Sequence, residues 1–142
     1  MDQILLEKKI DSILRCLERI NSRIPSTKDA FAEDLDAQDI IVLNLTRAVQ
    51  LSVDLAMHIC ATTQTATPQT MGEAFERLRE IHVLTPEVSE KMKKAVGFRN
   101  IAVHNYNEIN INITYTIAKE HTQDFVEYIK QIYAYFTKIG QS

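Results

Sequence analysis

Within the stretch FRNIAVHNYNE, residues 98–108, stand Arg99, Asn100, His104 and Tyr106. The arginine offers a permanently charged planar fork to phosphate oxygens. The histidine is the side chain that exchanges protons near neutral pH. The tyrosine carries a phenolic hydroxyl that donates and accepts hydrogen bonds. A polar helix end has the same residue types, so the stretch is either a surface turn or a reactive centre.

Geometry sets a condition on the second reading. Successive helical residues turn by about 100° and rise about 1.5 Å. Arg99 and Tyr106, seven apart, fall on nearly the same face of an unbroken helix, whereas His104 lies about 140° round from Arg99. Arg99 and His104 converge only if the helix frays near Asn105, if Arg99 bends round, or if a second copy of the helix faces the first.

The elements that must hold this stretch read as helices. Ile10, Ile13, Leu14, Leu17 and Ile20 recur at three- and four-residue steps and predict an amphipathic helix over about 2–23, with Arg15, Arg19 and Arg23 as a basic stripe on the other face. Pro25 ends it, and Ser26 with Asp29 resembles a capping arrangement for a long second helix, about 29–63. The centre of that helix, DIIVLNLTRAVQLSVDLAMHICA, is apolar on most of its circumference and predicts burial on several sides. Thr70 and Glu73 form a capping box for a short third helix, 71 to about 82. Thr85-Pro86-Glu87 starts the fourth, which runs to His104. A last helix, about 112–138, turns Phe125, Ile129, Ile132, Phe136 and Ile139 inward. The result is an all-α, up-and-down bundle of about five helices in a single domain, 1–142, whose central helix a subunit interface would complete.

Composition narrows the classes. The chain has 142 residues, 45% hydrophobic, enough for one core. Its three glycines and three prolines leave little material for the turns of a β-rich fold. A net charge of −3 does not mark a nucleic-acid binder as a whole, so any such contact needs a local basic patch. Cys16 and Cys60 follow no metal or redox spacing and read as buried free thiols, in keeping with a cytoplasmic protein. The charged N-terminus has no signal-peptide pattern, and no uninterrupted apolar run approaches the roughly 18 residues of a membrane span. No His, Cys and carboxylate set has metal-ligand spacing, and neither a phosphate-cradling glycine loop nor a nucleophile elbow is present. No metal and no cofactor are expected.

The Arg-x-x-x-x-His-x-Tyr pattern at the end of the penultimate helix resembles the signature of HEPN domains, and in particular the toxin half of the HEPN/MNT toxin–antitoxin pairs, the HepT-like proteins. AVQLSVDLAMHI and TMGEAFERLREIHVLTPEVSEKMKKAVGFRNIAVHNY extend the likeness over most of residues 35–136. The resemblance implies a homodimeric, metal-independent endoribonuclease toxin of type VII-like systems that cleaves RNA through its own 2′-hydroxyl. Arg99 would stabilise the phosphorane-like charge and His104 would move protons, with two Arg–His pairs meeting at a dimer cleft. It implies a positioning role for Asn100 and an acid on the second helix facing the motif. Asp54 is the candidate for that acid, with Arg99 or His58 as its partner. Lys91, Lys93 and Lys94, one to two turns before Arg99, are candidates for the local positive field over RNA, or a solvated face. The partner implied is a minimal nucleotidyltransferase antitoxin that silences the toxin by transferring AMP to Tyr106. The alternative is a non-catalytic HEPN module that binds nucleotide or protein and only docks the nucleotidyltransferase.

Overall fold

The computed structural model describes residues 2–140, with side-chain surroundings through residue 138. Among the described residues there are seven α-helices, one 3-10 turn and no strand. They are α1 (Gln3–Arg23), α2 (Lys28–Glu33), α3 (Leu35–Thr62), α4 (Met71–Glu80), α5 (Pro86–His104), the 3-10 turn Tyr106–Glu108, α6 (Ile111–Glu120) and α7 (Thr122–Gly140). The all-α class is the one expected. The count rises because two of the five expected helices each break once.

The first break is at Asp34, where the expected helix over 29–63 divides into α2 and α3. Asp34 leaves helical geometry at φ −107°, ψ 89°, and its carboxylate accepts the amide of Ala37 at 3.0 Å. One side chain thus ends one helix and caps the next, an arrangement worth about 1 kcal/mol. Gln38 Nε2 completes the joint by donating to the carbonyls of Phe31 and Ala32 at 2.9 and 3.1 Å, the first of which also accepts the Asp34 amide at 3.2 Å. The cap of α2 is Thr27, whose hydroxyl accepts from Ala30 at 3.1 Å, one residue beyond the expected Ser26. The second break is at His121, between α6 and α7. The alternating ININITYTI opens a helix, as expected: Asn110 Oδ1 accepts from Ile113 at 3.1 Å and caps α6. Thr70 and Thr85 cap α4 and α5 as the sequence predicts.

α3 is the axis of the bundle. Ile41, Leu45, Leu55 and Ile59 have no exposed surface, and its most extensive packing is against α1 through Leu6, Ile13 and Ile20. α3 is also long and apolar enough to cross a membrane by length and composition, closer to that limit than counting uninterrupted apolar runs suggests. Burial in the core of this fold accounts for that character. On the remaining sides lie α4, α5 and α6. The Tyr128 hydroxyl of α7 donates to the Ser52 carbonyl of α3 at 2.7 Å, and burial pushes that phenol well above its ordinary pKa. Cys16 and Cys60 are buried free thiols. One inward assignment needs amending and another is untested. Leu14 is 41% exposed, and Ile139 lies outside the described side chains.

α5 runs antiparallel to α3. Near its start, Ser89 Oγ donates to the Phe75 carbonyl of α4, and Cys60 at the far end of α3 approaches the Ala74 carbonyl of the same helix. At its other end the residues after α5 meet the start of α3 through Tyr106 and Asp39. Glu76 of α4 clamps α5 by binding Lys93 while also holding Arg79. Those contacts, Arg79 foremost and Lys93 next, hold the Glu76 carboxyl at about 2, far below its ordinary value of 4.5. A depressed carboxyl stabilises the fold above its unfolded pKa and loses that contribution as pH falls towards the folded value. Glu76→Gln is expected to cost on the order of 1 kcal/mol at neutral pH. The cost should disappear in urea titrations as pH falls from 4.5 to about 2.

Candidate active site at the end of α5

The reactive stretch is placed by a helix that stops. Asn105 takes φ −140°, ψ 56°, its amide still bonds the Ile101 carbonyl at 2.8 Å, and the chain then tightens into the 3-10 turn Tyr106–Glu108. His104 is therefore the last helical residue, and Tyr106 is off the helix altogether. The expected common face of Arg99 and Tyr106 does not form, because the helix ends between them. Both His104 and Tyr106 are exposed, on an open surface.

Arg99 is only partly exposed, and its Nε is buried without a hydrogen-bond partner. Its Nη1 donates to Asn100 Oδ1 at 3.1 Å. Asn100 is one turn before His104, about 40° from it around the helix. The amide thus draws the guanidinium round the helix towards the face that carries His104.

Tyr106 is tied down at its tip. Its hydroxyl donates to Asp39 Oδ1 at 2.9 Å, and the ring remains 52% exposed. That hydrogen bond first, then desolvation and the Asp39 charge, raises the Tyr106 pKa above that of an ordinary tyrosine. Asp39 is the acid on the long helix that meets the motif, and sequence reasoning missed it. Asp54 is exposed, accepts from Gln50 Nε2 at 3.0 Å, and pairs with neither Arg99 nor His58. It is fifteen residues beyond Asp39, roughly 22 Å along α3. Arg99 is only seven residues back from Tyr106 on the antiparallel α5, so Asp54 stands past the motif. Only the register of α3 against α5 distinguishes the two acids, and the local sequence does not carry it.

The lysines divide. Lys91 pairs with Glu87 at 3.2 Å and reaches Asp124 of α7 at 3.8 Å. Lys93 binds Glu76 and Glu90. These two hold α5 to its neighbours. Lys94 is exposed and, among the described residues, makes no ion pair. It shares an exposed stripe with Glu90, Gly97, Ile101 and His104, at steps of four and three residues. The surface is electrically two-sided: Lys94 and Arg99 lie along α5, and the exposed Asp36 and Asp39 lie on the first turns of α3. Among the described residues no three His, Cys, Asp or Glu side chains gather as a metal site.

An all-α bundle that presents a fixed guanidinium, an exposed imidazole and a tethered phenol at one helix end is built to handle a phosphate on an open surface. The chain belongs to the family described as Ribonuclease HepT-like, which matches residues 13–132. It is 36% identical to the mRNA nuclease HepT of Shewanella oneidensis, over 94% of this chain and 99% of that one. It is 25% identical to the tRNA nuclease HepT of Aphanizomenon flos-aquae, over 99% and 96% of the two chains. Its fold superposes with a TM-score of 0.86, at 36% identity and over 94% and 99% of the two chains, on the tri-AMPylated HEPN toxin of Shewanella oneidensis in complex with its MNT antitoxin.

The Tyr106–Asp39 contact makes a spectroscopic prediction. In alkaline titrations followed by tyrosinate absorbance, the difference between the native chain and Tyr106→Phe isolates Tyr106. It should ionise above the ordinary tyrosine value. With Asp39→Ala as the background, the same difference should move back towards that value.

Proposed function

We propose that this chain, a single HEPN-like domain, is the toxin of a type VII-like toxin–antitoxin pair, a metal-independent endoribonuclease acting in the cytoplasm and silenced by AMP transfer to Tyr106. The observation that carries the reading is the Arg99–Asn100 hydrogen bond at 3.1 Å, which ties the guanidinium to a residue one turn before the exposed His104. RNA is the substrate class named for both HepT relatives, and an MNT antitoxin is the partner in the related complex.

The chemistry follows from the groups present. The substrate's 2′-oxygen attacks the adjacent phosphorus, the bond to the 5′-oxygen breaks, and a cyclic phosphate and a 5′-hydroxyl result. Arg99 neutralises the charge that grows on the phosphoryl oxygens, most effectively where water is excluded. His104 moves the proton. One imidazole cannot act as base and acid at once, so the reading includes a homodimer in which two Arg–His pairs face one cleft. The surface supports this. Ile101, Val103 and Leu43 are 44%, 47% and 48% exposed beside the motif. Gly97 lies inside α5, where glycine costs about 1 kcal/mol relative to alanine. Apart from its chain neighbours and the backbone of its own helix, no described atom stands within 4 Å of where its Cβ would be, so the bare spot admits a close approach from outside.

AMP on Tyr106 would place a bulky anion beside Arg99 and His104, excluding RNA by volume and by charge. The antitoxin partner would be a minimal nucleotidyltransferase.

His104→Ala and Arg99→Ala are each expected to lower RNA cleavage about a hundredfold or more. Melting temperatures should stay unchanged, and cleavage by the native chain should persist in EDTA. Cleavage that survives the loss of His104 removes it from the mechanism. A native chain that binds its partner yet cuts no RNA favours the docking-module alternative. Separately, intact-mass measurement after incubation with the cognate nucleotidyltransferase and ATP should show AMP additions on the native chain and none on Tyr106→Phe.

A further inference from the structure

We propose that Asp39 is the proton acceptor for modification of Tyr106, so that the silencing reaction draws a catalytic group from the toxin itself. The inference rests on the AMP-transfer reading above and deepens it.

Three observations carry it. The Tyr106 hydroxyl, the atom that would be modified, is bonded to one protein group, Asp39 Oδ1 at 2.9 Å. Asp39 is sixty-seven residues away in sequence and on a different helix, so the contact is made by the fold and not by local chain geometry. Asp39 is not engaged elsewhere: among the described residues it makes no ion pair, and it caps no helix, a duty that falls to Asp34 for α3. An exposed aromatic ring would ordinarily sample several rotamers. Here the hydroxyl is held by Asp39 while Tyr106 as a whole stays 52% exposed, so the side chain is anchored at its tip and still borders solvent.

The chemistry balances. Tyr106 Oη attacks the α-phosphorus of a nucleoside triphosphate. The new O–P bond forms as the bond to the pyrophosphate oxygen breaks, and pyrophosphate leaves with its electron pair. The phenolic proton passes along the existing hydrogen bond to Asp39 Oδ1. A phenol held neutral by its carboxylate neighbour is a poor nucleophile until that proton moves, so the acceptor has to be in place as attack begins. Once the ester has formed and Asp39 has released the proton to solvent, the oxygen has no hydrogen to donate, and the new phosphate anion stands beside the Asp39 carboxylate. The tether is broken and replaced by repulsion, which drives the modified side chain away from α3.

The test uses the full chain with its cognate nucleotidyltransferase and ATP, reading the initial rate of AMP addition by intact mass at saturating partner. Asp39→Asn keeps an acceptor oxygen and the side-chain volume but has no useful basicity. It is expected to lower the saturated rate about a hundredfold. Its melting temperature and its affinity for the partner should be unchanged, and Asp39→Glu should recover part of the rate. Native rates in Asp39→Asn overturn the proposal, and so does a deficit that more partner abolishes, which would make Asp39 a docking residue. A native chain that gains no AMP from a demonstrably active partner defeats the underlying reading instead. Native-chain modification at full speed together with an unimpaired Asp39→Asn leaves that reading standing and removes only the role of Asp39.

Discussion

A helix of 28 residues with apolar side chains on most of its circumference, open to water only along the stripe through Asp36, Asp39, Arg47 and Asp54, has to be covered on its other sides, and the rest of this molecule is arranged around that fact. Fully burying one leucine or isoleucine is worth about 1.5–3 kcal/mol. α3 contributes Ile41, Leu45, Leu55 and Ile59 with no exposed surface at all. Covering them draws α1 along one side and α4, α5 and α6 along others. The antiparallel course of α5 follows, and with it the meeting of the residues after α5 with the first turns of α3. Burial of the central helix therefore sets which residue of α3 the motif can touch.

The second determinant is where α5 stops. Carried further as a helix, the chain would leave Tyr106 stacked above Arg99. Stopping at His104 frees Tyr106 to cross to Asp39, and the Asn100 amide brings the guanidinium round from its own face. Each of the three groups is thus held by a different device: a helix terminus, a side-chain hydrogen bond between sequence neighbours, and a bond to another helix. Only the last requires the folded bundle.

On the proposed reading, cleavage and silencing have separate anchors on one small surface. The basic side, Arg99 with Lys94, suits a phosphate backbone, and the acidic side, Asp36 and Asp39, disfavours one. Tyr106 stands on the acidic side, held through its proton. Converting that hydroxyl to a phosphate ester exchanges an attraction for a repulsion at Asp39, a change in local electrostatics large enough to move a side chain without moving the fold.

The sequence by itself determined the helical class, the caps at Thr70 and Thr85, the buried thiols, the central place of α3 and the residues Arg99, Asn100, His104 and Tyr106. Local spacing and side-chain chemistry specify the first four, while the candidates at the end of α5 stand out through the resemblance of their stretch to the HepT-like signature. It did not reveal the break at Asp34, since the apolar period runs on through the joint and only the cap geometry shows that one helix has become two. It pointed to Asp54 as the acid facing the motif and to Lys91 and Lys93 as candidates for RNA contact. The fold pairs both lysines with carboxylates and passes the acid's place to Asp39. Those assignments depend on the register of α5 against α3 and α4. Register is fixed by which apolar faces bury one another, a property of two segments distant in the chain and of neither alone.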